Sequence, residues 1–153
     1  KGRSIITVAE ELEHVRNYLI IQSIRFKNKF TYTIDAEPAA LKLRTVKLIL
    51  QPLVENTIVH GFSHFATDEG RIEISARVEG GCLVMRVLDN GLGMSEEMVK
   101  TVLIPQKAGG IGLRNVHERI ALTFGAGYGL TIESELDEGT LVIIRQPVSS
   151  GEG

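Results

Sequence analysis

Apolar residues recur at helical spacing through Val8, Leu12, Val15, Leu19 and, further on, Ile24, which predicts a helix reaching about Lys27. Thr7 and Glu10 have the spacing of a capping box at its start, and Glu10, Glu11 and Glu13 complement the positive end of its dipole. Phe30–Asp35 alternates and is rich in β-branched and aromatic residues, the mark of a strand. Glu37-Pro38 and the small residues after it read as a connection. A second helix is predicted from about Arg44 to Phe62, in which Pro52 requires a kink or a late start. Arg71–Glu79 and Cys82–Asp89 alternate around Gly80-Gly81, a strong hairpin signal. Ser95 caps a short helix ending near Val102, and Leu103–Gly110 reads as loop. A helix follows from about Ile111 to Phe124. A second hairpin, Leu130–Leu136 with Thr140–Gln146, turns at Asp137-Glu138-Gly139. Paired strands joined by turns make most of the sheet antiparallel, which disfavours a doubly wound dinucleotide fold. The expected architecture is an α/β (α+β) two-layer sandwich: a mixed, largely antiparallel sheet covered on one face by helices.

Composition narrows the function. The 153 residues, 43% hydrophobic and 24% charged, suffice for one domain with a real core. A net charge of −2 argues against nucleic acid as a partner. The lone cysteine, Cys82, sits inside an apolar alternation and reads as a small buried residue, in keeping with a reducing compartment. No apolar stretch approaches the ~20 residues that span a bilayer. The chain begins at Lys1, so it is read as a piece of a longer protein.

The candidate chemistry lies in three polar segments. The apolar run Val84–Leu88 closes abruptly in Asp89-Asn90-Gly91-Leu92-Gly93 followed by Met94. An ionised Asp89 is an acceptor-only group suited to an exocyclic amine, and Gly91 and Gly93 let a flat ring approach the backbone. The second helix carries Glu55, Asn56 and His60 among apolar residues, with Asn56 and His60 four apart on one face. One amide oxygen supplemented by phosphate oxygens and water suits Mg²⁺. The third segment, Lys107-Ala108-Gly109-Gly110-Ile111-Gly112-Leu113, opens a helix, whose free N–H groups favour an anion. Its spacing is not that of a Walker loop, and a flexible hinge has the same appearance. Gly139-Thr140 by itself is a hairpin turn. His14, His64 and His117 are isolated, without the spacing of metal ligands.

Taken in order, these segments resemble the catalytic, ATP-binding domain of sensor histidine kinases, in the group shared with gyrase, Hsp90 and MutL-type ATPases. Leu50 to Gly61, LQPLVENTIVHG, looks like the N box. Asp89–Gly93 looks like the first glycine box and Gly109–Leu113 like the second. QPLVEN…HG with GIGLRNVHERI, and the opening EELEHVRNYLIIQSIRF, are similar to the LytS/YesM-like subgroup. The resemblance implies the Bergerat-type fold and ATP and Mg²⁺ as cofactors. It assigns Asn56 to the metal and Asp89 to the adenine amine. Gly91 and Gly93, with Asn90 and Met94, would surround the adenine. Gly110 and Gly112, with Ile111 and Leu113, would lie toward the phosphates, at the end of a lid from about Met94 to Gly109. His60 and Lys107 are further nucleotide contacts on this reading, and Thr140 would form the pocket floor near Asp89.

Two features depart from the family. Many relatives place a carboxylate or amide one turn before the metal-binding Asn, and here that position is Pro52; Glu55, the remaining candidate for catalysis, is rotated by about 100° from Asn56. An F box is not evident between Gly93 and Gly109. The phosphoacceptor histidine of the subgroup lies upstream in a dimerisation segment, and none of His14, His60, His64 or His117 has its setting. The expected organisation is a linker helix at 1–29 beside that segment, an ATP-binding domain at 30–148 and a frayed tail at 149–153. Expected partners are ATP, the phosphoacceptor segment of a homodimeric parent and a response-regulator receiver domain. The domain itself would be cytoplasmic, with the parent anchored in the plasma membrane. Another ATPase or serine kinase of the same superfamily, or an inactive interaction domain, are the alternatives.

Overall fold

The computed structural model describes residues 4–27, 29–63, 69–105 and 111–149. The capping box forms as its sequence predicts. The Thr7 hydroxyl accepts from the Glu10 N–H, and the Glu10 carboxylate accepts from the Thr7 N–H at 2.9 Å. The helix that follows, α1 (Val8–Arg25), buries Val8, Leu12, Val15 and Leu19. Ile24 does not continue the stripe and is 74% exposed. Five residues after Leu19 it is rotated by about 140°, on the far face of the helix.

The segment expected as one long helix from Arg44 is instead a strand, a turn and a shorter helix. β1 (Ile5–Thr7) pairs antiparallel with β3 (Arg44–Val46), using the β-branched Thr45 and Val46. The helix α3 (Leu50–Asn56) starts late and runs on into a π-helical turn, Thr57–Gly61. Pro52 therefore falls in the first turn, where a missing N–H forfeits no helical hydrogen bond. Between the two segments a short helix, α2 (Pro38–Leu41), occupies the expected connection.

The main sheet contains β2 (Phe30–Ala36), β4 (Gly70–Glu79), β5 (Cys82–Asp89), β6 (Gly129–Glu135) and β7 (Gly139–Pro147), in the order β2-β4-β5-β7-β6. β2 runs parallel to β4; the other pairs are antiparallel. Alternation sends Ile72, Ile74 and Ala76 of β4, Leu83, Met85 and Val87 of β5, and Val142 and Ile144 of β7 to one face. That face packs on α1, α3 and α5 (Ile111–Phe124) in a single core. The two-layer sandwich is thus as expected. Ser95 caps α4 (Glu96–Thr101) through the Met98 N–H, also as expected. α1, within the expected linker, supplies Val8, Leu12, Val15 and Leu19 to the same core. Ser149, at the head of the expected tail, accepts from the Arg44 N–H.

Leu19 is fully buried, so Leu19→Ala should cost about 2–5 kcal/mol of stability. Ile24→Ala should stay within about 0.5 kcal/mol. Denaturant melts of the two variants check this difference, and equal losses would contradict the placement of α1.

Candidate functional site

Asp89 ends β5, the strand held between β4 and β7, and alternation turns its side chain toward the helices. Only 8% exposed, the carboxylate needs donors, and the fold brings them from separate elements. One oxygen accepts from the Gly91 N–H at 2.8 Å and the other from the Thr57 hydroxyl at 2.9 Å. The Thr140 backbone N–H, across the β5–β7 pair, is a further donor. Burial pushes the Asp89 carboxyl above its ordinary 3.8, and these three hydrogen bonds oppose that rise. An ionised carboxylate offers about four acceptor sites, so one remains for a donor in the cavity.

That cavity lies between α3 and the ends of β5 and β7. Leu53, Asn56, Thr57, His60 and Gly61 form one wall; Asp89, Leu92, Gly93 and Met94 form the other. Leu113, Thr140 and Val142 close the remaining side. Apolar residues can sandwich a flat ring while Asp89 fixes its orientation, the usual balance in a small-molecule site. The glycines have a second duty here. A Cβ at Gly91 would stand 2.6 Å from the Gly61 carbonyl oxygen, and the Leu92 N–H donates to that same oxygen at 2.8 Å. Gly93 has a positive φ of 75°, and its Cβ would lie 1.9 Å from the Glu135 oxygen. The loop after β5 is therefore pressed backbone to backbone against the π-helical turn and β6.

Asn56 and His60 are both exposed and share a face, as their spacing requires. They also border a neighbouring hollow lined by Pro52, Glu55, Val59 and Gly112. Glu55 thus lies beside the cavity holding Asp89 and not in it. Its charge also acts on Tyr18 of α1, whose hydroxyl is pushed up first by burial and then by Glu55.

Asn90 takes a different course from the one expected. Its Oδ1 accepts from the Arg71 N–H at 2.7 Å and its Nδ2 donates to the Glu69 carbonyl at 2.9 Å. Both ends of the amide stitch the start of β4, so Asn90 positions the loop and does not line the cavity. Ile111, at the first turn of α5, is 65% exposed and lines neither hollow. Lys107, Gly109 and Gly110 lie outside the described residues, as does His64. His117 accepts through Nδ1 from the Leu130 N–H at 2.9 Å, tying α5 to β6.

Five lining residues escaped the sequence reading: Leu53, Thr57, Gly61, Leu92 and Val142. Thr57 left a signal. It is a polar residue on the buried stripe of Leu50, Leu53, Val54 and Ile58, and such a hydroxyl needs a partner. Among the described residues, no group of three or more His, Cys, Asp or Glu could hold a metal ion. A cation at Asn56 would take most of its oxygen ligands from a bound molecule and from water, the habit of Mg²⁺.

The helix-covered sheet, with a buried acceptor carboxylate lining a cavity between helix and sheet, is that of the two-layer ATP-binding domains. The family model for histidine kinase-, DNA gyrase B- and HSP90-like ATPases matches residues 42–150, and the chain belongs to that family. It is 39% identical over 145 residues to the sensor histidine kinase YesM of Bacillus subtilis (strain 168), covering 95% of this chain and 24% of YesM. It is 34% identical over 142 residues to the sensor histidine kinase BtsS of Escherichia coli (strain K12), covering 93% of this chain and 24% of BtsS. The chain thus spans about a quarter of the length of these relatives. Among solved structures, the catalytic domain of histidine kinase ThkA superposes with a TM-score of 0.75 at 17% identity, over 97% of this chain and 99% of that one. ThkA in complex with the response regulator protein TrrA matches with a TM-score of 0.71 at 16% identity, over 97% of this chain and 42% of that one.

The raised Asp89 pKa fixes the sign of a pH effect. The folded state binds this proton more tightly than the unfolded state. Asp89 therefore favours folding at low pH, and that contribution is lost as pH rises from 3.8 through its folded value. Asp89→Asn should remove this dependence, gaining stability relative to the wild type as pH rises through that window. Paired thermal melts across the acid range, without nucleotide, would measure it; parallel curves would contradict the burial cost.

Proposed function

We propose that this chain is the ATP-binding catalytic domain of a two-component sensor histidine kinase, passing the ATP γ-phosphoryl group to a histidine on an upstream dimerisation segment. The observation that carries the reading is Asp89: a buried carboxylate with one acceptor site left over, lining a cavity shared with Leu53, Leu92, Met94 and Val142. That acceptor meets the adenine amine and disfavours guanine, which carries a carbonyl oxygen at the corresponding position. Asn56, on the neighbouring face, stands where a triphosphate leaving the cavity meets solvent, and it would hold Mg²⁺ by its amide oxygen. The metal, when bound, neutralises charge on the phosphates. Gly112, in the first turn of α5, borders the same hollow, and the free N–H groups of a helix start favour an anion.

The chemistry required of the domain is positioning and charge stabilisation. An acceptor imidazole nitrogen forms a bond to the γ-phosphorus as the bond to the β,γ-bridging oxygen breaks, and ADP departs with that oxygen. Glu55, exposed in the outer hollow beside Asn56, is the candidate to orient or deprotonate the acceptor imidazole. The sequence relatives named as sensor histidine kinases support this reading, as does the fold shared with the ThkA catalytic domain. The phosphorylated histidine would then serve a response-regulator receiver domain, in a parent that is homodimeric and membrane-anchored. Among the described residues no helix is long and apolar enough to cross a membrane.

Isothermal titration with ATP, with and without Mg²⁺, tests the assignment. ATP·Mg²⁺ should bind and GTP·Mg²⁺ should bind far more weakly. Asp89→Asn should weaken ATP about ten- to a hundredfold, the worth of a hydrogen bond to a charged group. Asn56→Ala should leave metal-free ATP unchanged and abolish the gain from Mg²⁺. Phosphoryl transfer should appear only when the dimerisation helices are supplied. Absence of ATP·Mg²⁺ binding by the wild type would refute the proposal.

A further inference from the structure

The N-terminus of α3 has no cap of its own. Ile49 at the N-cap makes no side-chain hydrogen bond, and the first turn holds no acidic residue. Its free N–H groups are met from another helix. Glu11 of α1, 1% exposed, accepts from the Leu48 N–H at 2.9 Å through one oxygen. Its second oxygen accepts from the Ile49 and Leu50 N–H groups at 2.8 and 2.9 Å. The carbonyls of the same turn are taken from the opposite side by Arg119 of α5. Its guanidinium donates to the Leu48 oxygen at 2.8 Å and to the Lys47 oxygen. Leu48, a residue with a Cβ, is held here at a φ of +60°. A non-glycine residue stays in that region only where its surroundings fix it from several directions.

We infer that Glu11 and Arg119 form a clamp that positions the metal-binding face of α3, and that Glu11 is a positioning residue for nucleotide binding. The inference rests on the function proposed above. Asn56 lies six residues beyond Leu50, about 9 Å along one continuous helix, so the angle set at the gripped turn is carried to its amide. A buried carboxylate accepting three N–H groups at the positive end of a helix is a strong, directional hold. The grip also joins the two helices that flank the cavity, since α3 supplies Asn56 and α5 supplies Leu113. Asp89 belongs to β5 and owes its orientation to the sheet, so the clamp acts on the metal side of the site and spares the adenine side.

A double-mutant cycle tests this. Glu11→Gln keeps the shape but leaves one acceptor oxygen for three donors. It should weaken ATP·Mg²⁺ about tenfold, the lower end of the effect of disturbing the groups that orient a metal ligand, while metal-free ATP binding changes less than about twofold. In an Asn56→Ala background the same substitution should change ATP·Mg²⁺ affinity less than about twofold, because the two residues act through one group. Arg119→Lys, which loses the planar fork, should repeat the pattern and serves if the Glu11 variant does not fold. Equal losses in both backgrounds, or equal losses with and without Mg²⁺, would overturn the clamp and leave a purely structural role. A wild type that gains nothing from Mg²⁺ would instead refute the proposed metal site, and this inference with it.

Discussion

A carboxylate removed from water has to be met by hydrogen-bond donors, and Asp89 is met from three directions. Thr57 reaches it from the π-helical turn, Gly91 from its own loop and Thr140 from the neighbouring strand. Each donor comes from a different part of the chain, so the carboxylate is satisfied only when sheet, helix and loop have come together. The cavity is the space these three parts leave between them. The polar character of that space therefore depends on burial of one charged residue with one acceptor site unfilled.

The helix opposite is controlled in a different way. A run of seven α-helical residues followed by a π-helical turn would be marginal alone, and its first turn lacks a local cap. Stability comes from Leu50, Leu53 and Val54 in the core and from a carboxylate lent by α1. Widening to a π-helical turn at Thr57–Gly61 places Thr57 against Asp89, while Asn56 and His60 stay in solvent. Such turns recur at functional sites because they re-aim side chains without ending the helix. The Gly61 carbonyl then receives the Leu92 N–H, closing the contact between helix and loop.

Sheet and site also differ in how much substitution their geometry allows. A TM-score of 0.75 at 17% identity shows that the layered fold tolerates nearly complete replacement of its side chains. Cores allow this so long as volume and patterning persist. The site tolerates less. At Gly91 and Gly93 the space is filled by the Gly61 and Glu135 backbones, and neither can yield to a Cβ.

By itself the sequence determined most features that depend on local periodicity or on a turn residue, Ile24 and the helix expected from Arg44 being the exceptions. The five strands of the main sheet, both hairpins, α5 between Ile111 and Phe124, and the Thr7 and Ser95 caps are legible, because alternation and capping are properties of neighbours. The motif at Asp89–Gly93 is legible for the same reason. Only the tertiary structure decided that Arg44–Val46 is a strand, since its partner Ile5–Thr7 lies almost forty residues away. It likewise decided that Glu11 caps α3 and that Asn90 faces the start of β4. Thr57 became a partner of Asp89 in the same way, across 32 positions of sequence. A side chain's partner across such a distance is fixed by how layers stack, and no local pattern encodes it.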